Sequence, residues 1–243
     1  KLLNFKANHR KVIVSEKSAI LSSMNPHDAS GNHSNIGFKM AGSIIDDLVL
    51  SELEIAKLSG YKEIDDFRIS HKTNTEQNNP TKVTLITEGK IRDNIINQIK
   101  DTKKDNKIMI GMFYLSHRGL VEELIYAANR GVDVKLVLDP NKDAFGIKKN
   151  GIPNRQVANE IKKKSDNSIR IRWYDTHGEQ FHSKIVIIEK EDKAIIIGGS
   201  ANLTRRNIDD YNLESDLMIE TPKNTQLYGD IKAYFTRIWT NEN

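Results

Sequence analysis

The hydrophobic positions between residues 82 and 139 change their period several times along the chain. Residues 83–87, 107–114 and 132–138 form short apolar or alternating runs, which are typical of strands. Between these runs, the apolar residues of segments 91–99 and 120–127 recur every three or four positions, as on one face of a helix. Strand, helix, strand, helix and strand with short connections predict a parallel α/β layer.

Similar patterns predict further elements on both sides of this segment. On the N-terminal side we expect strands at 11–14, 19–21 and 36–40 and a helix at 41–58. On the C-terminal side we expect a helix at 156–164, strands at 168–174, 181–189, 194–198 and 213–219, and a closing helix at 223–239. The whole chain is therefore expected to be of the α/β class.

The stretch from residue 60 to residue 80 interrupts these patterns, because it is polar and only weakly periodic. About 20 residues without a pattern rarely occur inside a compact domain. We therefore expect a first lobe at 1–60, a linker at 61–80 and a second lobe at 81–243.

The composition indicates a folded protein and not a membrane bundle, since 37% of the residues are hydrophobic and 29% are charged. No run approaches the roughly 20 apolar residues that span a bilayer. The chain has no cysteine, which excludes disulfides, iron–sulfur clusters, thiolate zinc sites and cysteine nucleophiles. The net charge of +4 suits an anionic substrate, but ordinary solvated helices give the same value.

The chain contains an internal repeat of chemically useful residues. Both copies have His-x-Lys, an apolar run, a Glu five residues after the Lys, and a Ser-x-Asn after a second strand. The first copy consists of His9, Lys11, Glu16, Ser23 and Asn25, and the second of His182, Lys184, Glu189, Ser200 and Asn202. Two matching copies in one chain argue against coincidence.

The spacing predicts a common geometry for the two copies. Residues two apart on a strand point to the same face, so the His and Lys of each copy project together. The Ser and Asn come from the end of the neighbouring strand, where they can face the same point. If the lobes meet across a pseudo-two-fold axis, two imidazoles, two ammonium groups and two amides converge. Phosphoryl transfer requires such a nucleophile, proton donor and anion-binding groups.

The His-x-Lys pattern with its acidic residue and downstream Gly-Ser-x-Asn resembles the HKD motif of the phospholipase D superfamily. Segment 199–204 is very close to that signature, and segment 8–11 resembles the first motif of bacterial cardiolipin synthases and phospholipase D-like proteins. The resemblance implies a two-lobed phospholipase D-like fold with mixed sheets flanked by helices. It also implies a covalent phosphohistidine on one histidine, protonation of the leaving group by the other, and no metal or cofactor.

By this resemblance the residues of the two copies take specific roles. His9 would be the nucleophile and His182 the general acid. The phosphoryl oxygens would be bound by Lys11, Lys184, Asn25 and Asn202, and substrate binding would be completed by Ser23, Ser200 and Thr204. In the family a carboxylate beyond the Ser-x-Asn hydrogen-bonds the catalytic histidine, and Glu214 occupies that place in the second copy.

The sequence departs from the family pattern in three places. The acidic residue of each motif is a glutamate instead of the usual aspartate. The first copy has Ser22-Ser23 where the pattern has Gly-Ser. It also lacks a counterpart of Glu214 and offers only His-Ser-Asn at 33–35, so the residue that orients its histidine is not identified.

The position of Glu214 predicts different roles for the two histidines. A carboxylate behind an imidazole stabilises the cation and so raises the pKa of that imidazole. With Glu214 expected behind His182 and no carboxylate behind His9, we expect His182 to be the better proton donor and His9 the nucleophile.

Three functions remain open at this point. The first is an enzyme that acts on phospholipid, at a membrane surface or in solution, by hydrolysis with water or by transfer to an alcohol. The second is a nuclease of the same superfamily, and the third is a degenerate module that binds phosphodiesters without turnover. Two motifs in one chain favour the phospholipid enzyme, because nucleases of the family often pair two single-motif chains. The same feature implies an active site within one chain, without an obligate dimer.

The two lobes also differ in the length of chain that precedes each motif. Eight residues precede His9, whereas about 100 separate Pro80 from His182. We therefore expect the N-terminal lobe to be incomplete and the sequence to be a soluble fragment of a longer, bacterial chain.

Overall fold

The computed structural model describes residues 6–62, 79–144, 147–148 and 150–242. Most of the predicted linker at 61–80 lies outside the described residues. The division into two lobes and the incompleteness of the first lobe stay predictions.

Fourteen strands and seven helices are found in these residues. The strands are β1 (Ala7–Asn8), β2 (Val12–Val14), β3 (Ala19–Ser22), β4 (Gly37–Met40), β5 (Lys82–Thr87), β6 (Lys107–Met112), β7 (Asp133–Leu138), β8 (Asp143–Ala144), β9 (Ile147–Lys148), β10 (Arg170–Trp173), β11 (Lys184–Glu189), β12 (Lys193–Gly199), β13 (Asn212–Leu213) and β14 (Ser215–Pro222). The helices are α1 (Asp28–Gly31), α2 (Ile44–Leu58), α3 (Gly89–Lys100), α4 (Arg118–Asn129), α5 (Asn154–Lys164), α6 (Arg205–Ile208) and α7 (Gln226–Thr240). Each element expected from the sequence has a counterpart here, so the α/β class is confirmed.

The largest sheet has seven strands in the order β10-β7-β6-β11-β12-β14-β5. Strands β10, β7 and β6 run parallel, whereas every pair from β6 to β5 is antiparallel, so the sheet is mixed. The parallel layer expected for residues 82–139 is correct for β6 and β7 only, because β5 lies at the opposite edge beside β14. Three later strands fill the space between β5 and β6, and local periodicity does not reveal which strands become neighbours.

The central strands of this sheet are buried on both faces. All residues of β11 and residues 194–199 of β12 are buried. Helices α3 and α4 cover one face, where Ile95 and Leu124 share a hydrophobic cluster with Val186. Helix α7 covers the other face, where Phe235 clusters with Ile187. Burial on both faces explains the continuous apolar runs of these strands.

The N-terminal elements pack against the same large sheet. Strands β2, β3 and β4 form a separate antiparallel sheet. Leu21 of β3 and Ile45 of α2 belong to the same hydrophobic cluster as Ile185 and Ile187 of β11. Strand β1 pairs in parallel with β13. These contacts place the first copy of the motif against strand ends of the second copy.

Two strands beside the motif residues begin later than the sequence predicts. The strand expected at 213–219 is interrupted at Glu214, which separates β13 from β14. The backbone N of Glu214 donates to a side chain there, Oε1 of Glu88, at 3.2 Å. The strand expected at 181–189 begins only at Lys184, so His182 precedes the regular ladder. His182 and Glu214 therefore lie on irregular backbone at one end of the sheet.

Candidate active site

Each motif lysine folds back onto the backbone of its own motif histidine. Nζ of Lys184 donates to the backbone oxygen of His182 at 2.8 Å, and Nζ of Lys11 makes the same contact with His9. Lys184 is buried, and its Nζ lies 5.2 Å from the ring centroid of Phe113. The charges of His9 and Lys11 both act on His182, so the two copies meet at one place.

The carboxylate of Glu214 contacts His9 and not His182. Oε2 of Glu214 lies 2.9 Å from Nδ1 of His9, and the Glu214 side chain is fully buried. The expectation that Glu214 orients His182 is therefore wrong. The reason is the pairing of β1 with β13, in which the backbone N of His9 donates to the oxygen of Leu213 at 2.9 Å. This pairing brings His9 beside the residue that precedes Glu214.

His182 instead contacts Asn35, whose Oδ1 lies 3.1 Å from Nδ1 of His182. The orientation of the Asn35 amide is fixed, because its Nδ2 donates to the backbone oxygens of Ser30 at 2.8 Å and His33 at 3.0 Å. Oδ1 must then be the acceptor, so Nδ1 of His182 carries a hydrogen. In the neutral imidazole the lone pair is consequently on Nε2.

The two histidine partners are held by equivalent contacts from the motif serines. Oγ of Ser200 donates to Oε2 of Glu214 at 2.5 Å, and Oγ of Ser23 donates to Oδ1 of Asn35 at 3.2 Å. Each serine oxygen also accepts a hydrogen bond at 3.0 Å from the backbone N that follows the partner. Asn35 is therefore the counterpart of Glu214 in the first copy, and each partner orients the histidine of the other copy.

The environment of His182 opposes a positive charge on its imidazole. Burial is the largest cause, and it lowers the pKa of His182 far below the ordinary value of 6.5. Basic groups add to this effect, in decreasing order Lys184, Lys11, His9 and His33. His182 was expected to be the better proton donor because Glu214 was expected behind it. That reason is wrong, since the partner of His182 is a neutral amide and its charged neighbours are basic.

The two motif lysines are also held in a poorly solvated place. Burial lowers the pKa of Lys11 to about 8 and the pKa of Lys184 well below its ordinary range. The carboxylates of Glu214 and Asp216 oppose this shift for both lysines. Among the described residues neither lysine has a carboxylate within ion-pair distance, so their ammonium groups are suited to an incoming anion.

The remaining predicted site residues have supporting contacts within the protein. Asn202 is buried, and its Oδ1 has no hydrogen-bond partner in the described part of the chain. Asn25 is half-buried. The hydroxyl of Thr204 donates to Asn207, whose amide donates to Glu214, so Thr204 supports the partner of His9. Direct contacts of these residues and of the two motif serines with substrate stay predictions.

Sequence reasoning missed two buried aspartates that fix backbone next to the motifs. Oδ2 of Asp139 accepts from the backbone N of Phe181 at 2.7 Å, directly before His182. Oδ1 of Asp216 accepts from the backbone N of Ala201 at 3.0 Å, inside the second Ser-x-Asn. Burial raises the pKa of Asp139 to about 6 and that of Asp216 to about 8. Each has a signal in the sequence. Asp139 is an acidic residue at the end of an apolar strand, and Asp216 is an acidic residue within one.

The glutamates of the motifs lie away from this site. Glu189 is at the far end of β11 from Lys184, and its Oε1 accepts from the hydroxyl of Tyr228 at 2.7 Å. This contact fastens α7 to the sheet. Glu16 is exposed to solvent. A glutamate in place of the usual aspartate is therefore compatible with a structural role.

None of the helices in the described residues is long and apolar enough to cross a membrane. Within the same residues there is no group of three or more histidine and acidic side chains that could hold a metal ion.

Residues 95–239 match the family described as cardiolipin synthase, PLD-like domain. No curated protein sequence matches the chain.

Several solved structures share the fold. Phosphatidylserine synthase from Haemophilus influenzae Rd KW20 has a TM-score of 0.67 and 13% identity, covering 96% of this chain and 63% of that protein. Polyphosphate kinase from Porphyromonas gingivalis has a TM-score of 0.57 and 18% identity, covering 94% of this chain and 32% of that protein. Nuc from Salmonella typhimurium, a phospholipase D family member, has a TM-score of 0.50 and 20% identity, covering 66% of this chain and 95% of that protein.

At these identities the solved structures support the fold alone, and they confirm the mixed α/β architecture that the resemblance implied. The family match covers more than half of the chain and includes the whole second motif from His182 to Asn202. The chain therefore belongs to the phospholipase D-like family that is described as the cardiolipin synthase, PLD-like domain.

Proposed function

We propose that this protein cleaves phosphodiester bonds of phospholipids through a phosphohistidine on His9. The observation that carries this proposal is the buried carboxylate of Glu214 on Nδ1 of His9. A carboxylate in this place keeps the hydrogen on Nδ1 and leaves the lone pair of Nε2 for attack. It also stabilises the positive charge that the imidazole acquires when it bonds to phosphorus.

In the first step Nε2 of His9 attacks phosphorus, and a P–N bond forms as the P–O bond to the leaving alcohol breaks. The electron pair stays on the leaving oxygen, which takes a proton from Nε2 of protonated His182. The ammonium groups of Lys11 and Lys184 stabilise the charge on the non-bridging oxygens.

In the second step an incoming O–H group attacks the phosphohistidine. His182, which is now neutral, accepts the proton of that group as the P–N bond breaks and the electron pair returns to Nε2 of His9. Water in this step gives hydrolysis, and the hydroxyl of an alcohol gives transfer of the phosphatidyl group. The two outcomes therefore share every residue and differ only in the acceptor.

The family match supports phospholipid as the substrate, because the matched family is described by cardiolipin synthase. The occurrence of both motifs in one chain supports the same choice. A nucleic acid is the second candidate, since the net charge of +4 and the two motif lysines would suit any phosphodiester.

A product assay with excess chelator tests the proposal. Phosphatidylglycerol, phosphatidylcholine and plasmid DNA are incubated with the protein, and with His9→Ala as the inactive variant. His177→Ala is the matched control, because His177 is exposed and lies outside the two motifs. We expect phosphatidate or a transfer product from lipid with the protein and with His177→Ala, and none with His9→Ala.

Other results of this assay would contradict specific parts of the proposal. Cleavage of DNA with intact lipid would indicate a nuclease. Lipid binding without any product would indicate a binding module. Activity that disappears in chelator and returns with a divalent ion would contradict direct attack by histidine.

A further inference from the structure

We propose that Asn35 is a positioning residue that keeps His182 uncharged in the empty site, so that His182 takes up its proton together with the phosphodiester. This inference rests on the proposed function, because it concerns the proton that leaves with the alcohol. It concerns Asn35, a residue outside both sequence motifs.

Asn35 and Glu214 make equivalent contacts in the two copies. Both accept a hydrogen bond from a buried motif serine, and both contact Nδ1 of the histidine from the other copy. One of these equivalent places holds a carboxylate and the other holds an amide. An amide accepts the same hydrogen bond but contributes no negative charge to stabilise an imidazolium.

Basic groups from several parts of the fold face His182. Lys184 comes from the start of β11, Lys11 and His9 come from the first motif copy, and His33 comes from the segment before Asn35. The ring centroid of His33 lies 6.1 Å from that of His182.

All four of these groups oppose a charge on His182. The ring of Phe113 also lies beside His182, with its centroid 4.9 Å from that of the imidazole. Among the described residues no carboxylate forms a hydrogen bond or ion pair with His182, whereas Glu214 and Asp216 act on the lysines.

A phosphodiester in the site would supply the missing negative charge. Its negative charge would offset the charges of Lys11 and Lys184, and its leaving oxygen would accept the proton from Nε2 of His182. The protons balance in the first step. One proton binds to His182 when the anion binds, and it passes to the leaving alcohol when the P–O bond breaks. In the second step His182 takes a different proton from the incoming O–H group, and this proton is released when the product leaves.

Two measurements on the protein itself test this inference. Dimethyl phosphate is the probe, because it is a phosphodiester monoanion with poor leaving groups. Calorimetric titrations in buffers of different ionisation enthalpy should show an uptake of about one proton for each anion bound at neutral pH. Histidine NMR signals, assigned with His182→Gln, should show His182 neutral in the free protein and protonated in the complex.

Variants then connect the effect to Asn35. Asn35→Asp supplies a carboxylate at the same length, so His182 should be protonated before the anion binds and the uptake should fall toward zero. Asn94→Asp makes the same chemical change in α3, at a half-buried residue whose amide also donates to a backbone oxygen, and should leave the uptake unchanged. Asn35→Asp loses the amide hydrogen bonds to Ser30 and His33, so its folding is checked by circular dichroism, and the NMR measurement does not depend on it.

The outcomes separate this inference from the proposed function. Protonated His182 in the free protein at neutral pH would overturn the inference, and so would dimethyl phosphate binding without proton uptake. Either result is compatible with phospholipid cleavage in the product assay. Absence of turnover and of dimethyl phosphate binding would overturn both proposals.

Discussion

At the scale of single residues, the chemistry of each histidine depends on the atom that contacts its Nδ1. Glu214 gives His9 a buried carboxylate, and Asn35 gives His182 a neutral amide. Both partners fix the hydrogen on Nδ1 and leave Nε2 for chemistry, but only the carboxylate stabilises a cation. This difference favours His9 as the residue that becomes covalently bonded to phosphorus.

The two histidine variants are predicted to differ with the leaving group. His9→Ala should abolish turnover of every substrate, because no P–N bond can form. His182→Ala should lose about 10²- to 10⁴-fold in kcat for an alkyl ester but much less for a nitrophenyl ester, whose leaving group needs no proton. Rates on both esters and acid-quenched labelling with a phosphorus-labelled substrate measure this. Phosphohistidine retained in His9→Ala and lost in His182→Ala would reverse the assigned roles.

Glu214→Gln is predicted to lower kcat by about 10³-fold on all substrates. The glutamine can still accept from Nδ1 of His9, but it lacks the charge that stabilises the imidazole as it bonds to phosphorus. Steady-state kinetics on the nitrophenyl ester give the measurement. Glu220→Gln is a matched control, since Glu220 pairs with Lys193 at the other end of the sheet. Equal activity of the two variants would argue against a role of Glu214 in the chemistry.

At the scale of elements, the Gly199 position shows how closely the two copies approach each other. A Cβ at Gly199, the last residue of β12, would lie 2.5 Å from Cδ2 of Leu21 and 2.5 Å from the oxygen of Ser215. Leu21 belongs to β3 of the first copy, so a side chain here would push the two copies apart. The first copy has Ser22 at the equivalent position, and its Oγ forms hydrogen bonds within its own loop.

Gly199→Ala is therefore predicted to destabilise the protein by about 2 kcal/mol or more and to reduce activity, because neither contact atom can move freely. Gly229→Ala is the matched control. Gly229 lies in α7 with no atom within 4 Å of an added Cβ, so alanine should add about 0.5–1 kcal/mol of stability there. Urea unfolding of both variants measures the difference, and equal effects would contradict the close approach at Gly199.

Arg10 connects the first motif with helix α2 and with the start of helix α3. Its guanidinium donates to Oγ of Ser51 at 2.8 Å and to Glu52 at 3.3 Å in α2, and to Oε1 of Glu88 at 2.6 Å before α3. The same oxygen of Glu88 accepts from the backbone N of Glu214. The residue between His and Lys of the motif therefore faces away from the site and anchors it.

Arg10→Ala should lower the free energy of unfolding by about 3 kcal/mol, because it leaves partly buried carboxylates without their cation. It should also lower activity, because Glu88 loses the cation that holds it beside the backbone N of Glu214. Urea unfolding together with kinetics provides the test. Arg155→Ala, an exposed arginine in α5, is the control that should leave both unchanged. A fully stable Arg10→Ala protein would show that this connection does not contribute to folding.

At the scale of the whole molecule, the buried histidine predicts a dependence of stability on pH. The pKa of His182 is lowered in the folded state, so the unfolded chain binds more protons once the pH falls below about 6.5. The contribution of His182 to stability is therefore present above that pH and is lost as the pH falls further. The slope for one such group is at most about 1.4 kcal/mol per pH unit.

His182→Gln should therefore lose less stability than the original protein between neutral and acidic pH. Asp139 acts in the opposite direction, because its raised pKa favours the folded state at low pH, and the comparison with the variant removes this contribution. Unfolding free energies measured across this range give the difference between the two proteins. Parallel pH curves would contradict a neutral, buried His182.

Much of the fold could be predicted from local pattern. The period of apolar residues located the strands and helices because each element is amphipathic or buried as a unit. The neighbours in the sheet were not predictable in this way, and β5 was wrongly grouped with β6. Strand order depends on packing between distant segments, to which local periodicity is insensitive.

The histidines, lysines, serines and asparagines of the two motifs can be located from the sequence, because the spacing of His-x-Lys and Ser-x-Asn follows from the geometry of one strand and its end. Their pairing depends instead on contacts between segments that lie far apart in the chain. Glu214 reaches His9 across 205 positions, and Asn35 reaches His182 across 147 positions. Within each copy the partner lies near its own Ser-x-Asn, which made pairing inside the copy the natural expectation. The pairing of β1 with β13 exchanges these partners, because it places the end of one copy beside the motif of the other.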